Sequence, residues 1–450
     1  MSRTVAFATL GCRLNQVDSQ ELQAALERRG FRAVPFESPA DVVVVNTCTV
    51  TARAEVSDRQ AITRAARRHP GARVVVTGCW AQADPGAVAR LPGVDLVVGN
   101  ADKPRLPDLV VRLVEGGGRA GSRVAANGTR AGAPARMEVS PVTAAALAPP
   151  ALPATTSRAR AFVKVQDGCQ HRCAFCIVPL VRGGSRSRPP AVIVDHVRRL
   201  LEAGHREVTL TGVDLGHYGA DLTPRTTLAS LLRELTGLPG LRWIRLSSIL
   251  PAYFTPDLLE VVTGSPVVAP HLHVPLQSGS DRILRRMRRP YTVAMYRRLV
   301  ERLAAARPGL GLGTDLIAGF PGETEADFEA TLALVQALPF TYLHVFGYSD
   351  RPGTEAAALP GRLPPRVIAE RNRRLRALGE AKSLAFRQSL AGSVQEVLVL
   401  DTRDRAGGRL VGLTGQYVEV LFDGPDALMR TIARVRVESV EADRTLGALV

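Results

Sequence analysis

All six cysteines of this chain fall into two sets of three, and no other feature restricts its fold as tightly. Cys169, Cys173 and Cys176 stand in the run Asp167-Gly168-Cys169-Gln170-His171-Arg172-Cys173-Ala174-Phe175-Cys176, a C-x3-C-x2-C spacing with no fourth cysteine nearby. Three thiolates in that pattern suit an iron–sulfur cluster with one iron left open, because structural metal sites normally close with four protein ligands. A zinc site completed by His171 is the competing reading. Cys12, Cys48 and Cys79 lie far upstream and can act together only if the fold gathers them.

The first hundred residues supply such a fold. Apolar stretches at 5–10, 41–46, 73–77 and 94–98 alternate with helical patterns at 19–29 and 57–68, which predicts a parallel sheet with helices on its faces. Cys12, Cys48 and Cys79 each follow one of these strands directly, in Thr9-Leu10-Gly11-Cys12, Asn46-Thr47-Cys48 and Thr77-Gly78-Cys79. The carboxyl ends of parallel strands form one rim, where ligands collect. Three unrelated core cysteines, or a zinc site, are the plainer alternatives.

Residues 116–157 are rich in Gly, Ala, Pro and Ser and read as a flexible linker, with room for a short strand near 136–139. Alternation then resumes. Strand candidates at 161–166, 207–211, 242–247, 271–275, 313–318 and 342–346 are separated by helical patterns, which predicts a partial (β/α)6 barrel. A helix near 365–389 follows. Short strands at 394–401, 410–413, 417–422 and 431–440 then suggest a small β-barrel. The expected organisation is α/β, with an N-terminal sheet domain at 1–115, the linker at 116–157, the barrel at 158–388 and the small β-barrel at 389–450.

Beyond the ends of the barrel strands stand Asp214, Ser247, His273 and Gln277, candidates for binding a cofactor at the barrel mouth. Asp214 could hold a substrate amine or cap a helix. Arg182, Arg186 and Arg188 follow the cysteine run and could be a solvated charge run or contacts to phosphate or carboxylate.

Charge bounds the partners. The net charge is +16, almost all of the positive charge is arginine, and lysine occurs only at 103, 164 and 382. Biased nucleotide composition accounts for arginine over lysine but not for the surplus of base over acid, which points to a polyanion such as nucleic acid. No apolar run approaches the roughly 18 residues that cross a membrane, and no export signal opens the chain. A cytoplasmic protein with no membrane partner is expected, where six cysteines serve metal or redox work over disulfides.

The motifs Thr9-Leu10-Gly11-Cys12-Arg13-Leu14-Asn15-Gln16, Asn46-Thr47-Cys48-Thr49-Val50-Thr51, Thr77-Gly78-Cys79-Trp80-Ala81-Gln82, Gln166-Asp167-Gly168-Cys169, Leu276-Gln277-Ser278-Gly279-Ser280 and Gly319-Phe320-Pro321-Gly322-Glu323-Thr324, in this order, resemble the methylthiotransferases, a radical S-adenosylmethionine family, over essentially the whole chain. The last sixty residues resemble the family's RNA-binding TRAM domain. Leu14-Asn15-Gln16 and His344-Val345-Phe346 resemble the branch that adds a methylthio group to C2 of N6-threonylcarbamoyladenosine at tRNA position 37.

The resemblance implies two [4Fe–4S] clusters and S-adenosylmethionine as cofactors. Cys169, Cys173 and Cys176 would hold the catalytic cluster that cleaves S-adenosylmethionine, and Cys12, Cys48 and Cys79 the auxiliary cluster that carries sulfur. It implies tRNA, a reducing electron donor and a sulfur source as partners. The alternatives are a family member acting on isopentenyladenosine in tRNA or on a ribosomal-protein aspartate, and a non-catalytic iron–sulfur protein that binds RNA.

Overall fold

The computed structural model describes residues 3–116, 135–143, 147 and 158–450. They form two compact units, and the division does not follow chain order. The first unit unites residues 1–153 with 167–186 and 349–357, so the cysteine run belongs with the N-terminal sheet. The second holds 154–166, 187–348 and 358–450.

In the first unit, strands β1 (Thr4–Thr9), β2 (Arg32–Ala33), β3 (Val42–Thr47), β4 (Arg73–Gly78), β5 (Val94–Val98) and β6 (Arg136–Glu138) form one parallel sheet in the order β2-β1-β3-β4-β5-β6. Val42 to Val45 are all fully buried, as expected of a central strand covered on both faces. Helix α1 (Arg13–Glu27) covers one face with Leu22 and Leu26 against Leu106 and Leu109. Helix α2 (Ala52–Arg68) covers the other with Ala61, Ile62 and Ala65, a helical spacing that meets Trp80. Strand β6 arises inside the linker segment, where a short strand near 136–139 was anticipated. Most of that segment, 117–134 and 148–157, lies outside the described residues.

Helix α1 starts at Arg13, six residues ahead of the periodic stretch at 19–29. Its first turn is polar yet buried because Asn15, fully buried, donates to the Leu10 and Thr47 carbonyls at 2.8 and 2.9 Å. Hydrophobic periodicity misses a turn whose buried face is an amide.

In the second unit, β7 (Arg160–Lys164), β8 (Glu207–Thr211) and β9 (Trp243–Leu246) pair in parallel, as do β10 (His271–His273), β11 (Gly311–Ala318) and β12 (Tyr342–Gly347). A parallel bridge between Ile244 and Val268 joins the two halves of this partial barrel. Leu272, Leu312 and Leu316 enter the core shared with the surrounding helices. By the two-residue period of a strand, His271, His273, Asp315, Tyr342 and His344 therefore face inward.

Five strands close the C-terminal barrel, one more than anticipated: β13 (Val394–Arg403), β14 (Leu410–Thr414), β15 (Glu419–Phe422), β16 (Ile432–Val440) and β17 (Thr445–Leu449). The β14–β15 turn packs at the amino ends of the larger barrel's strands. There Arg245 pairs with Glu207 at 3.0 Å, both side chains fully buried, and donates to the carbonyls of Gly415 and Thr414 at 2.9 and 3.2 Å. Tyr417 stacks on His271 at 4.7 Å.

Candidate active site and its cysteine constellations

Cys12, Cys48 and Cys79 follow β1, β3 and β4, three neighbouring strands, at their carboxyl ends. They meet there. A Cβ built on Gly11 would lie 2.7 Å from the Cys48 sulfur, and Gly11 itself has φ +88°, so glycine alone fits this turn. Burial pushes the Cys48 thiol up to about 12, and the neighbouring Cys79 and Cys12 add to the shift. A proton is therefore hard to remove from Cys48 without a compensating positive charge.

Arg182 supplies one. It is the last residue of the short helix α3 (Val178–Arg182) and is 3% exposed. Burial opposes its charge, but Asp167, Cys79, Asp18 and Cys12 outweigh burial and hold the guanidinium firmly protonated. Its nitrogens reach Asp167 at 3.0 Å, Asp18 at 3.1 Å and the Asn15 Oδ1 at 2.6 Å. Arg182 is thus neither a solvated charge nor a phosphate contact. Arg188 is also buried and donates to the Lys164 carbonyl, and Arg186 donates to the Arg182 carbonyl.

The cysteine loop itself is tied down by its backbone. Cys169 N–H donates to the Gly183 carbonyl at 3.0 Å, and Cys176 N–H to the Cys173 carbonyl at 3.0 Å. Gly168, at φ +71°, has no room for a side chain, since a Cβ would lie 2.0 Å from the Gly184 carbonyl oxygen. Cys169, Cys173 and Cys176 are half-buried, and all six cysteines are free thiols.

Two residues of this region escaped the motif reading. Asn100, beyond the end of β5, points its amide at the Cys79 sulfur at 3.7 Å and at the Val181 carbonyl at 2.8 Å. Arg351 donates to Glu55 at 2.6 Å and to the Thr49 carbonyl at 3.4 Å, bracing the Cys48 loop. The hint for Asn100 was its place at a fourth strand end; Arg351 carried none.

The donor set fits iron–sulfur clusters better than single ions. A tetrahedral zinc would draw its sulfurs to about 3.8 Å of one another. Among the described residues, the donor atoms that close to within 4.8 Å are those of His273, Asp315 and His344, and neither cysteine trio does so. Each trio offers three sulfur donors without a fourth cysteine, the donor set of a cluster with one open iron, and the N-terminal trio has a buried cation and an amide donor beside it.

On the inner face of the second unit, the candidates gather in two groups. Asp214 N–H donates to Gln166 Oε1 at 2.8 Å, and the Asp214 carboxylate accepts from the Tyr253 hydroxyl at 3.0 Å. Asp214 does not cap the helical turn that follows it, which sets aside the capping alternative. Ser247 Oγ accepts from Gly212 N–H at 3.4 Å nearby. In the second group, His273 Nε2 lies 2.9 Å from Asp315 and His344 Nδ1 lies 3.3 Å from it, while the Tyr342 hydroxyl bridges His271 and His273. Burial pushes the Asp315 carboxyl up, but its hydrogen bonds to His273 and His344 outweigh that and hold it well below the usual carboxylate range. Gln277 is joined to this group through its backbone, which donates to the Asp315 carbonyl at 2.8 Å. It sits at φ 71°, and its Oε1 is buried without a hydrogen-bond partner among the described residues. A buried acceptor on left-handed backbone makes Gln277 a candidate ligand contact. His344 is half-exposed.

Comparison with known proteins accords with this geometry. Residues 4–99 match the model of "Uncharacterized protein family UPF0004", and residues 163–335 match the radical SAM superfamily. The chain is 36% identical to the threonylcarbamoyladenosine tRNA methylthiotransferase MtaB of Bacillus subtilis, over 96% of this chain and 93% of that protein. It belongs to the radical SAM tRNA methylthiotransferases. The family also includes a tRNA-2-methylthio-N(6)-dimethylallyladenosine synthase of Mycobacterium bovis, to which this chain is 41% identical over 88% of its own length and 76% of the relative's. In fold it is similar to the radical SAM methyltransferase TsrM of Kitasatospora setae, with a TM-score of 0.57, 20% identity, and coverage of 79% of this chain and 75% of that one. Membership of the radical SAM methylthiotransferases implies S-adenosylmethionine and a [4Fe–4S] cluster. No helix among the described residues is long and apolar enough to cross a membrane.

Proposed function

We propose that this methylthiotransferase adds a methylthio group to C2 of N6-threonylcarbamoyladenosine at position 37 of tRNA, in the cytoplasm. The observation that carries the substrate is the polar inner wall of His273, Asp315 and His344. A threonylcarbamoyl group is polar and ends in a carboxylate. His344 Nδ1 faces Asp315, so its other ring nitrogen, Nε2, is the one left to hydrogen-bond such a group. An apolar dimethylallyl group would leave these polar atoms unpaired, the kind of mismatch that separates substrates most strongly. Identity alone does not decide, since the dimethylallyladenosine synthase relative is the more identical of the two; the fuller coverage of the MtaB relative supports the reading.

Cys169, Cys173 and Cys176 would hold the cluster used on S-adenosylmethionine, and Cys12, Cys48 and Cys79 a second cluster. Once bound, these groups and S-adenosylmethionine supply the one-electron chemistry and the sulfur that an aromatic C–H requires and that side chains cannot provide. Arg182 offsets the negative charge of the N-terminal thiolates, and Asn100 donates toward Cys79. Asp214, Ser247, His273 and Gln277 would position S-adenosylmethionine or the nucleoside. An electron donor and a sulfur source complete the reaction.

The test is mass spectrometry of tRNA nucleosides from a strain lacking this protein, paired with purified protein acting on tRNA that carries either modified adenosine. Loss of the methylthio derivative of threonylcarbamoyladenosine alone is expected. Loss of the dimethylallyl derivative instead would move the protein to the other branch, and no loss of either would reject tRNA.

A further inference from the structure

Helix α2 presents a line of arginines that the site does not use. Arg53, Arg59, Arg64 and Arg67 are all exposed, and none has an ion pair among the described residues. Between Arg59 and Arg67 the helix rises about 12 Å, enough to pass roughly three to four phosphates of one strand. Gln60 and Thr63 stand among these side chains and add hydrogen-bonding groups to a shallow hollow of about 560 Å³.

Two of the guanidiniums are already oriented. Arg59 lies over the Trp80 ring at 4.7 Å, and Arg64 over Phe36 at 6.0 Å. Stacking holds an arginine by its flat face and leaves the N–H edge free, which is the edge that grips a phosphate. Among the acidic side chains nearby, Glu37 pairs with Arg68 at one end of the hollow at 2.7 Å, and the others are turned away. Asp58 is buried and turned to the Cys48 amide, and Glu55 is engaged by Arg351 and Thr49.

Several arginines elsewhere are committed to partners. In the C-terminal barrel, Arg403 pairs with Asp426, Arg409 with Asp423 and Arg430 with Asp401. Beside the cysteine loop, Arg182 and Arg188 are buried. Arg405 and Arg434 of the C-terminal barrel are also exposed and without an ion pair among the described residues, but α2 adds to exposure the ring contacts that pre-orient Arg59 and Arg64.

We infer that the exposed face of α2 is a docking surface for RNA phosphodiester backbone, carrying part of the tRNA outside the nucleotide that is modified. The inference rests on the tRNA reading above. It predicts contacts to phosphate that are independent of base sequence and steeply salt-dependent.

The experiment measures binding of the reconstituted protein to tRNA lacking the methylthio group across a salt series. The first variant joins Arg53→Gln, Arg59→Gln, Arg64→Gln and Arg67→Gln, since glutamine keeps helix propensity. A second spares Arg59, so that Trp80 stays covered. Far-UV circular dichroism and iron content check the fold of both. The slope of log Kd against log salt should fall by about 3 in the first variant and about 2 in the second, with weaker binding in each. Wild-type affinity and slope in the folded second variant would overturn the docking surface while leaving the tRNA reading intact. If the unaltered protein bound no tRNA, the substrate reading would fail and the surface with it. Loss of binding to an acidic protein in place of tRNA would assign the stripe to a different partner and also reject the proposal.

Discussion

Arg182 and Asp18, 164 residues apart in sequence, form an ion pair at 3.1 Å in which neither side chain is more than 4% exposed. Lys103 reaches the same carboxylate at 2.8 Å, and Asp167 takes the other edge of the Arg182 guanidinium. The pair ties the segment that carries Cys169, Cys173 and Cys176 to the helix that starts after Cys12. Within the first unit, one buried cation therefore holds the two cysteine-bearing segments together.

Arg182→Ala should destabilise the first unit by about 3–5 kcal/mol, because it removes the ion partner of the buried Asp167 and leaves Asp18 with Lys103 alone. Arg182→Lys keeps the charge but loses the fork, and should fall between the variant and the wild type. Chemical denaturation, with iron content measured in parallel, checks this. A variant as stable as the wild type would show that the pair contributes nothing net.

Replacing Cys12, Cys48 and Cys79 by alanine should halve the iron bound from about eight to about four per chain, leaving release of 5′-deoxyadenosine while methylthiolation stops. Replacing Cys169, Cys173 and Cys176 should also halve the iron but abolish that release. Methylthiolated nucleoside from the first variant, or 5′-deoxyadenosine from the second, would reverse the assignment.

His344→Ala should lower kcat/KM for threonylcarbamoyladenosine-bearing tRNA about 10- to 100-fold, the cost of one charge-assisted hydrogen bond. The same change should have little effect on binding of S-adenosylmethionine. Equal losses on both types of modified tRNA would mean that His344 shapes the barrel and does not select the substrate.

His205 is buried and its Nδ1 lies 3.3 Å from the Ala159 carbonyl. Burial lowers its pKa, so the folded protein resists a proton that the unfolded chain accepts at about 6.5. Stability should therefore fall as the pH drops through that value toward the lower folded one. His205→Gln should flatten this part of the curve of Tm against pH. An unchanged slope in the variant would remove His205 from the acid response.

The strand–helix alternation, and with it the rim that holds Cys12, Cys48 and Cys79, was legible in the sequence because both follow from local periodicity and chain order. A parallel strand of valines announces itself, and a cysteine just beyond it must stand at the strand's carboxyl end. The six-strand partial barrel was legible for the same reason. The fifth strand of the small barrel, Thr445–Leu449, was not, since its half-exposed residues lack a strong alternation.

Tertiary structure alone decided what the charges do. Arg182, Arg186 and Arg188 looked alike in sequence; burial among Asp18, Asp167 and Asn15 made the first of them a structural cation, while α2 kept its arginines exposed. The Asp315 carboxylate between His273 and His344, drawn from three strands, was equally hidden. Periodicity reports which side of an element meets the core, but a charge's role depends on which distant groups share its low-dielectric surroundings, and only the folded chain brings those groups together.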